Sequence, residues 1–316
     1  MLSTALPSNG RLVNIGTHAL ALYTHGLEPS SPNDPVVLFV SRVASDALNW
    51  QAVVRQLPSS LRSYTYDRSG YNNSDHSPLV STAENVALEL SRLIEAATTT
   101  NSLILVGHSW AGVLIHEFIT LKGTAQIAGL VLVDADHETA PPVLNVNDPI
   151  LWTLAEGVDP CSAWGVEANH KLTAEEWAAF RAAEWTDKFE VIANQEEAQY
   201  FFSFETLRKK ELSKRQSLLG DKPVFMPAGT RSRDWSGLYE AGVAKRNGDE
   251  EQRAHVRNMI ANVDEKTEGL MKEFLKLSTK SELVFAKKSG HFVQMTQPEI
   301  VVDGIKWMLE NQAALS

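Results

Sequence analysis

One ten-residue stretch limits what this chain can fold into more than any other: Leu103-Ile104-Leu105-Val106-Gly107-His108-Ser109-Trp110-Ala111-Gly112. Four apolar, branched residues run into a small one. A Ser follows two positions later, then another small residue, then a second apolar run from Val113 to Leu121. That run carries Val113, Leu114, Ile115, Phe118 and Ile119 at helical spacing. The pattern predicts a strand, a sharp turn and a helix, a nucleophile elbow with Ser109 lifted above the sheet. Small residues are needed at 107 and 111 because strand and helix backbones nearly touch across such a turn. Ala111 stands where Gly is usual. The helix N-terminus behind Ser109 would direct N–H groups and a positive dipole end at a developing oxyanion. Taken alone, the motif also fits an ordinary buried strand and turn with an incidental Ser.

The surrounding chain narrows the choice. It has 316 residues and is 43% hydrophobic, enough for one large domain or a domain with an inserted subdomain. Its 29 basic and 39 acidic residues give a net charge of −10, with no basic stripe, so neither nucleic acid nor an anionic membrane is expected as a partner. A single Cys161 excludes an internal disulfide framework and fits a reducing compartment. Met1 to Gly10 lacks the apolar core of a secretory signal. No run approaches the ~18 apolar residues of a spanning helix, and Ala314-Leu315-Ser316 is not a recognisable address. The expectation is a soluble, cytoplasmic protein whose oligomeric state is left open.

In chain order, Leu12–Ile15 and Ala19–Tyr23 around Gly16-Thr17-His18 predict a hairpin at a sheet edge, and Glu28–Pro35 a loop. Val36–Val40 is a fully apolar run, the mark of a strand buried on both faces. Ser45 can cap a helix to about Leu57. Ser63–Tyr66 predicts a strand, Thr82–Ala97 a helix with Val86, Leu90, Leu93 and Ile94 inward, and Ile127–Val133 a strand ending at Asp134-Ala135-Asp136. Between His137 and Gly220 the strand–helix alternation stops. This segment looks helical and holds Trp152, Trp164, Trp177 and Trp185, half of the eight Trp residues. Alternation then resumes with a strand at Pro223–Met226, mainly helix over Gly248–Ser278, a strand at Leu283–Ala286, a loop at Gly290-His291-Phe292 and a final helix over Pro298–Leu309 with Pro in its first turn. This is the order of an α/β fold with a mostly parallel sheet.

A Ser nucleophile needs a base within hydrogen-bond reach and a third group to orient that base. Here Ser109 is followed by acids after two later strands and by His291 near the C-terminus. That order, with Tyr66-Asp67-Arg68-Ser69-Gly70-Tyr71, Leu130-Val131-Leu132-Val133-Asp134, and Ser289-Gly290-His291-Phe292-Val293-Gln294 ahead of Pro298-Glu299, resembles the α/β-hydrolase superfamily. The resemblance covers nearly the whole chain and points to lidded hydrolases of fungal and bacterial secondary metabolism. It implies a central, mostly parallel sheet flanked by helices. The core domain would be split into residues 1–136 and 221–316 by a helical lid over residues 137–220.

The resemblance also implies a site. Ser109 would be the nucleophile and His291 the base. The acid would be Asp134 at the end of the strand after the elbow, ahead of Asp234, with Asp136 third. Asp234 follows the strand that usually carries the acid, but Arg231 and Ser232 hold the usual places. The N–H groups of Val43 and Trp110 would form the oxyanion hole. Arg42 stands where Gly is usual in the oxyanion loop. It would displace the loop, read an anionic or carbonyl group on the substrate, or point to solvent. Trp164, Trp185 and Phe201 are expected to line an apolar substrate pocket. Asp67 and Arg68 belong to a structural turn, and His108 points away from Ser109. His116-Glu117 lacks the second His of a zinc helix, so no metal is expected, and no cofactor is implied. The expected function is hydrolysis of an ester, lactone or thioester of a hydrophobic small molecule. Its rivals are a non-hydrolytic elimination or cyclisation enzyme with His291 as general base, and a ligand-binding member without activity.

Overall fold

The computed structural model describes residues 6–97 and 100–313. Residues 1–5 and 314–316, on which the readings of the two termini partly rest, lie outside the described residues. Eight strands form one sheet: β1 (Gly10–Asn14), β2 (Ala19–His25), β3 (Val36–Val40), β4 (Ser63–Tyr66), β5 (Leu103–His108), β6 (Ile127–Val133), β7 (Val224–Gly229) and β8 (Ser281–Ala286). Their spatial order is β1-β2-β4-β3-β5-β6-β7-β8. The β1–β2 hairpin sits at one edge and β2 runs antiparallel to β4, while every later pairing is parallel.

Strand alternation explains the unbroken apolar runs. Leu103 and Leu105 of β5 enter one core cluster, and Ile104 and Val106 enter another on the opposite face. In β3, Leu38 and Val40 divide from Val37 and Phe39 in the same way. Both faces are covered, so polar residues at either parity would be buried without water. The first cluster is closed by the helices Ala83–Ala96 and Ala111–Lys122, the second by Gln51–Val54 and Pro298–Ala313.

Three local readings change. Asp46 rather than Ser45 caps the turn after β3, accepting from Leu48 N–H, and a 3-10 segment, Ala47–Trp50, precedes the short helix Gln51–Val54. β7 runs on past Met226 to Gly229, and the polar run after it begins a helix, Arg231–Ala244. Trp235 and Leu238 supply that helix's buried face. Between β6 and β7 the described residues hold no strand. Six helices occupy residues 140–209, ending with the long helix Asp187–Lys209. Two of the short ones begin with an Asp cap and a Pro, Asp148-Pro149 and Asp159-Pro160.

Candidate active site

The elbow forms where the sequence predicts it. Ser109, at φ +57°, joins β5 to the helix Ala111–Lys122. A Cβ on Gly107 would meet Ile115 Cδ1 at 2.6 Å and the Ala111 methyl at 2.9 Å, so Ala111 is tolerated because its neighbour across the turn is Gly. The loop after β6 is bonded to the elbow, since Asp136 N–H donates to the Ser109 carbonyl at 2.8 Å.

His291 lies in the loop after β8. Its Nδ1 donates to Asp134 Oδ2 at 2.5 Å, which leaves Nε2 as the basic nitrogen. Asp134 is fully buried at the tip of β6, with φ +39°. Gly229 N–H donates to its Oδ1 at 3.0 Å and Arg231 Nη2 to its Oδ2 at 3.2 Å. Burial alone would raise the Asp134 carboxyl. The Arg231 charge, the His291 bond and the Gly229 amide outweigh it and hold the group well below the usual carboxylate range. Asp234 also touches His291, but at its backbone: its Oδ2 accepts from His291 N–H at 2.7 Å. Burial, only partly offset by that bond, pushes its carboxyl up to about 6. The candidate acids are therefore separated by the atom each one holds. Asp134 grips the imidazole, Asp234 the main chain, and Asp136 the serine: Ser109 Oγ donates to Asp136 Oδ2 at 3.3 Å, and Tyr200 Oη to the same oxygen at 2.8 Å.

His108 is turned away from the serine. Its Nε2 donates to the His291 carbonyl at 2.9 Å and its Nδ1 accepts from Gln294 at 3.1 Å. This pairing fixes a neutral ring, and burial pushes its pKa well down. Its ring centroid is 4.5 Å from that of His291, so the two rings pack together.

A cavity of about 600 Å³ opens above these groups. Ser109, His291, Asp136, Arg42, Val43, Trp164 and Phe201 all line it. So do Trp152, Tyr200, Trp235 and Phe292, which the sequence reading did not assign to the pocket. Trp185 does not: it is 79% exposed and lies outside the lining. It caps the C-terminal end of the helix Ala174–Glu184. Among the described residues, the N–H groups of Val43 and Trp110 donate to no protein acceptor. Arg42 is half-buried beside its own loop. Its Nη1 donates to the Val43 carbonyl at 2.8 Å and its guanidinium lies 5.1 Å from the Phe292 ring centroid. No group of three or more His, Cys, Asp or Glu among the described residues is arranged to hold a metal ion. No helix of the described residues is long and apolar enough to cross a membrane.

Two contacts close to the candidate site escaped the sequence reading. Arg231 fills a place usual for the acid and is bonded to Asp134 instead. Glu196 is an ordinary-looking acid in a helix, yet it is 1% exposed and paired with Arg68. A lone Glu inside a polar helical run carries no sequence mark of burial.

Comparison with known proteins identifies the family. The Alpha/beta hydrolase family matches residues 14–304. The chain is 30% identical over 308 residues to the "Probable transporter efuK" of Hormonema carpetanum; the match covers 96% of this chain but only 43% of that protein's length. It is 26% identical over 296 residues to an AB hydrolase superfamily protein of Gibberella zeae, covering 91% and 90% of the two chains. Among solved structures it is similar to a thermophilic esterase from Thermogutta terrifontis, with TM-score 0.58, 17% identity and coverage of 96% and 98%. The chain belongs to the alpha/beta hydrolase family.

Proposed function

We propose that this chain is a serine hydrolase acting on an ester, lactone or thioester of a hydrophobic small molecule. One observation carries the reading: the 2.5 Å bond from His291 Nδ1 to an ionised, buried Asp134, with His291 itself on the wall of the cavity that Ser109 also lines. In this reading Ser109 Oγ attacks the carbonyl carbon and passes its proton to His291 Nε2. Asp134 stabilises the imidazolium. The oxyanion takes the N–H groups of Val43 and Trp110, each contributing about 3 kcal/mol to lowering the barrier. The imidazolium returns its proton to the leaving oxygen or sulfur, and water repeats the sequence on the acyl-enzyme. Before attack the Ser109 hydroxyl must leave Asp136, at a cost of about one neutral hydrogen bond, ~1 kcal/mol. The esterase similarity supports this reading at the level of the fold. We further propose residues 137–220 as a lid over the cavity, with Trp164 and Phe201 as substrate contacts and Arg42 facing a substrate carbonyl or carboxylate.

The Ser109–Asp136 bond favours one second reading, in which His291 Nε2 takes a proton directly from substrate in an elimination or cyclisation. A fluorophosphonate probe followed by mass spectrometry separates the two. Hydrolysis requires the adduct on Ser109 and a loss of several orders of magnitude in p-nitrophenyl butyrate turnover for Ser109→Ala. An unlabelled Ser109 and undiminished turnover of the physiological substrate in that variant would overturn the covalent mechanism.

A further inference from the structure

We infer that Glu196 and Arg68 are positioning residues for the oxyanion loop, tying the aim of the Val43 N–H to the long helix of the insertion. This rests on the serine-hydrolase reading of the same site. The pair is buried, with Arg68 4% and Glu196 1% exposed. Arg68 Nε donates to Glu196 Oε1 at 2.7 Å and Nη2 to Oε2 at 2.8 Å. The fork reaches further: Nη1 donates to the Ser41 carbonyl at 2.9 Å and Nη2 to the Arg42 carbonyl at 2.7 Å. Glu196 Oε2 also accepts from Ala44 N–H and from Tyr71 Oη, each at 2.9 Å.

Peptide geometry turns these contacts into aim. The Arg42 carbonyl and the Val43 N–H belong to one planar trans peptide and point in opposite directions. Holding the carbonyl against Arg68 therefore directs the N–H away from it, with no freedom to rotate alone. The next peptide is held as well, because the Val43 carbonyl takes Arg42 Nη1 and the Ala44 N–H takes Glu196. Ala44 sits at φ +49°, a conformation that a non-glycine residue keeps only under constraint. Both peptides around Val43 are thus fixed by one buried charge pair. Glu196 shares the helix Asp187–Lys209 with the cavity-lining Glu197, Tyr200 and Phe201. A helix that lifts off the core takes Glu196 with it and releases the loop. A helix that settles over substrate aligns the oxyanion donor.

The test uses Glu196→Gln and Arg68→Lys in the full chain. The second keeps a buried charge pair but loses the planar fork, so folding is retained while the two carbonyls are released. Turnover of p-nitrophenyl butyrate is measured with inhibition by 1,1,1-trifluoro-2-octanone, which forms a tetrahedral oxyanion adduct on a serine. Glu117→Gln, which breaks the pair between buried Glu117 and half-exposed Lys210 outside the cavity, serves as the stability control. Both site variants are expected to lower kcat about 10- to 100-fold, short of or equal to loss of one oxyanion donor. The ketone inhibition constant should rise by the same factor with KM within twofold, while Glu117→Gln lowers the melting temperature alone. If folded Glu196→Gln and Arg68→Lys keep kcat and ketone affinity within twofold of the parent, the inference is overturned. If the parent itself forms no ketone adduct, the hydrolase reading falls and this inference with it, a result distinct from the first.

Discussion

The exits of β6 and β7 are neighbours in the sheet, and each presents a carboxylate to His291. They do opposite things with it. At the β6 exit, Asp134 meets the imidazole and is kept ionised by Arg231, His291 and the Gly229 amide. At the β7 exit, Asp234 meets the main chain of the same residue, and burial leaves its carboxyl near 6. Nearness to the base does not distinguish them. The atom contacted and the number of donors do. Arg231 stands where the family usually has its acid and is bonded to the candidate acid at the end of the adjacent strand. The sheet edge keeps one negative and one positive group with their positions exchanged.

The comparison breaks most sharply at Asp134. Asp134→Asn is expected to reduce kcat/KM for p-nitrophenyl butyrate about 10⁴-fold, through loss of the tautomer that leaves Nε2 basic. A loss under tenfold would return the acid to the β7 exit. Gly290→Ala comes next. Its new Cβ would fall 1.7 Å from Asp234 Oδ1, so the loop or the acid must move. A fall of about 10- to 100-fold in kcat is expected, in proportion to displacement of the base. Arg231→Met tests the exchanged charge. Asp134 would keep His291 but lose its other charged partner. A strengthened pairing with His291 should move the acidic limb of the kcat/KM profile to higher pH, with a loss of about tenfold or less. An unmoved limb would mean that Arg231 only fills space.

The smallest effect on activity is expected at Asp234, where Asp234→Asn should change kcat/KM by no more than about threefold. Its signature lies in stability. The native carboxyl, raised from 3.8 to about 6, favours the protonated form. Its stabilising contribution is complete below pH ~4, declines as pH rises from there through about 6, and is gone above. The span amounts to about 3 kcal/mol at most. Denaturant titrations from pH 4 to 7 should show the parent losing stability relative to Asp234→Asn across that window. Parallel curves would show that Asp234 is ionised in the folded state throughout.

Much of this molecule was legible in its residues. The apolar runs Val36–Val40 and Leu103–Val106 read as strands buried on both faces, because no polar residue interrupts either parity within them. Gly107, Ser109 and Ala111 could only share a tight strand–helix turn, because larger side chains would collide there. Gly290-His291 and the acids at the β6 exit named the catalytic candidates. Such features depend on neighbours in sequence, within a strand, a turn or a helix face. What remained hidden depends on groups far apart in the chain. The Asp234 contact with a backbone amide and the solvent-facing Trp185 were decided by which elements came to lie side by side. Glu196 is the clearest case, 128 residues from its partner Arg68. Among the acids of the insertion nothing marks it out. Only the docking of its helix over the Ser41–Ala44 loop buries it, and a buried carboxylate must then find every donor within reach.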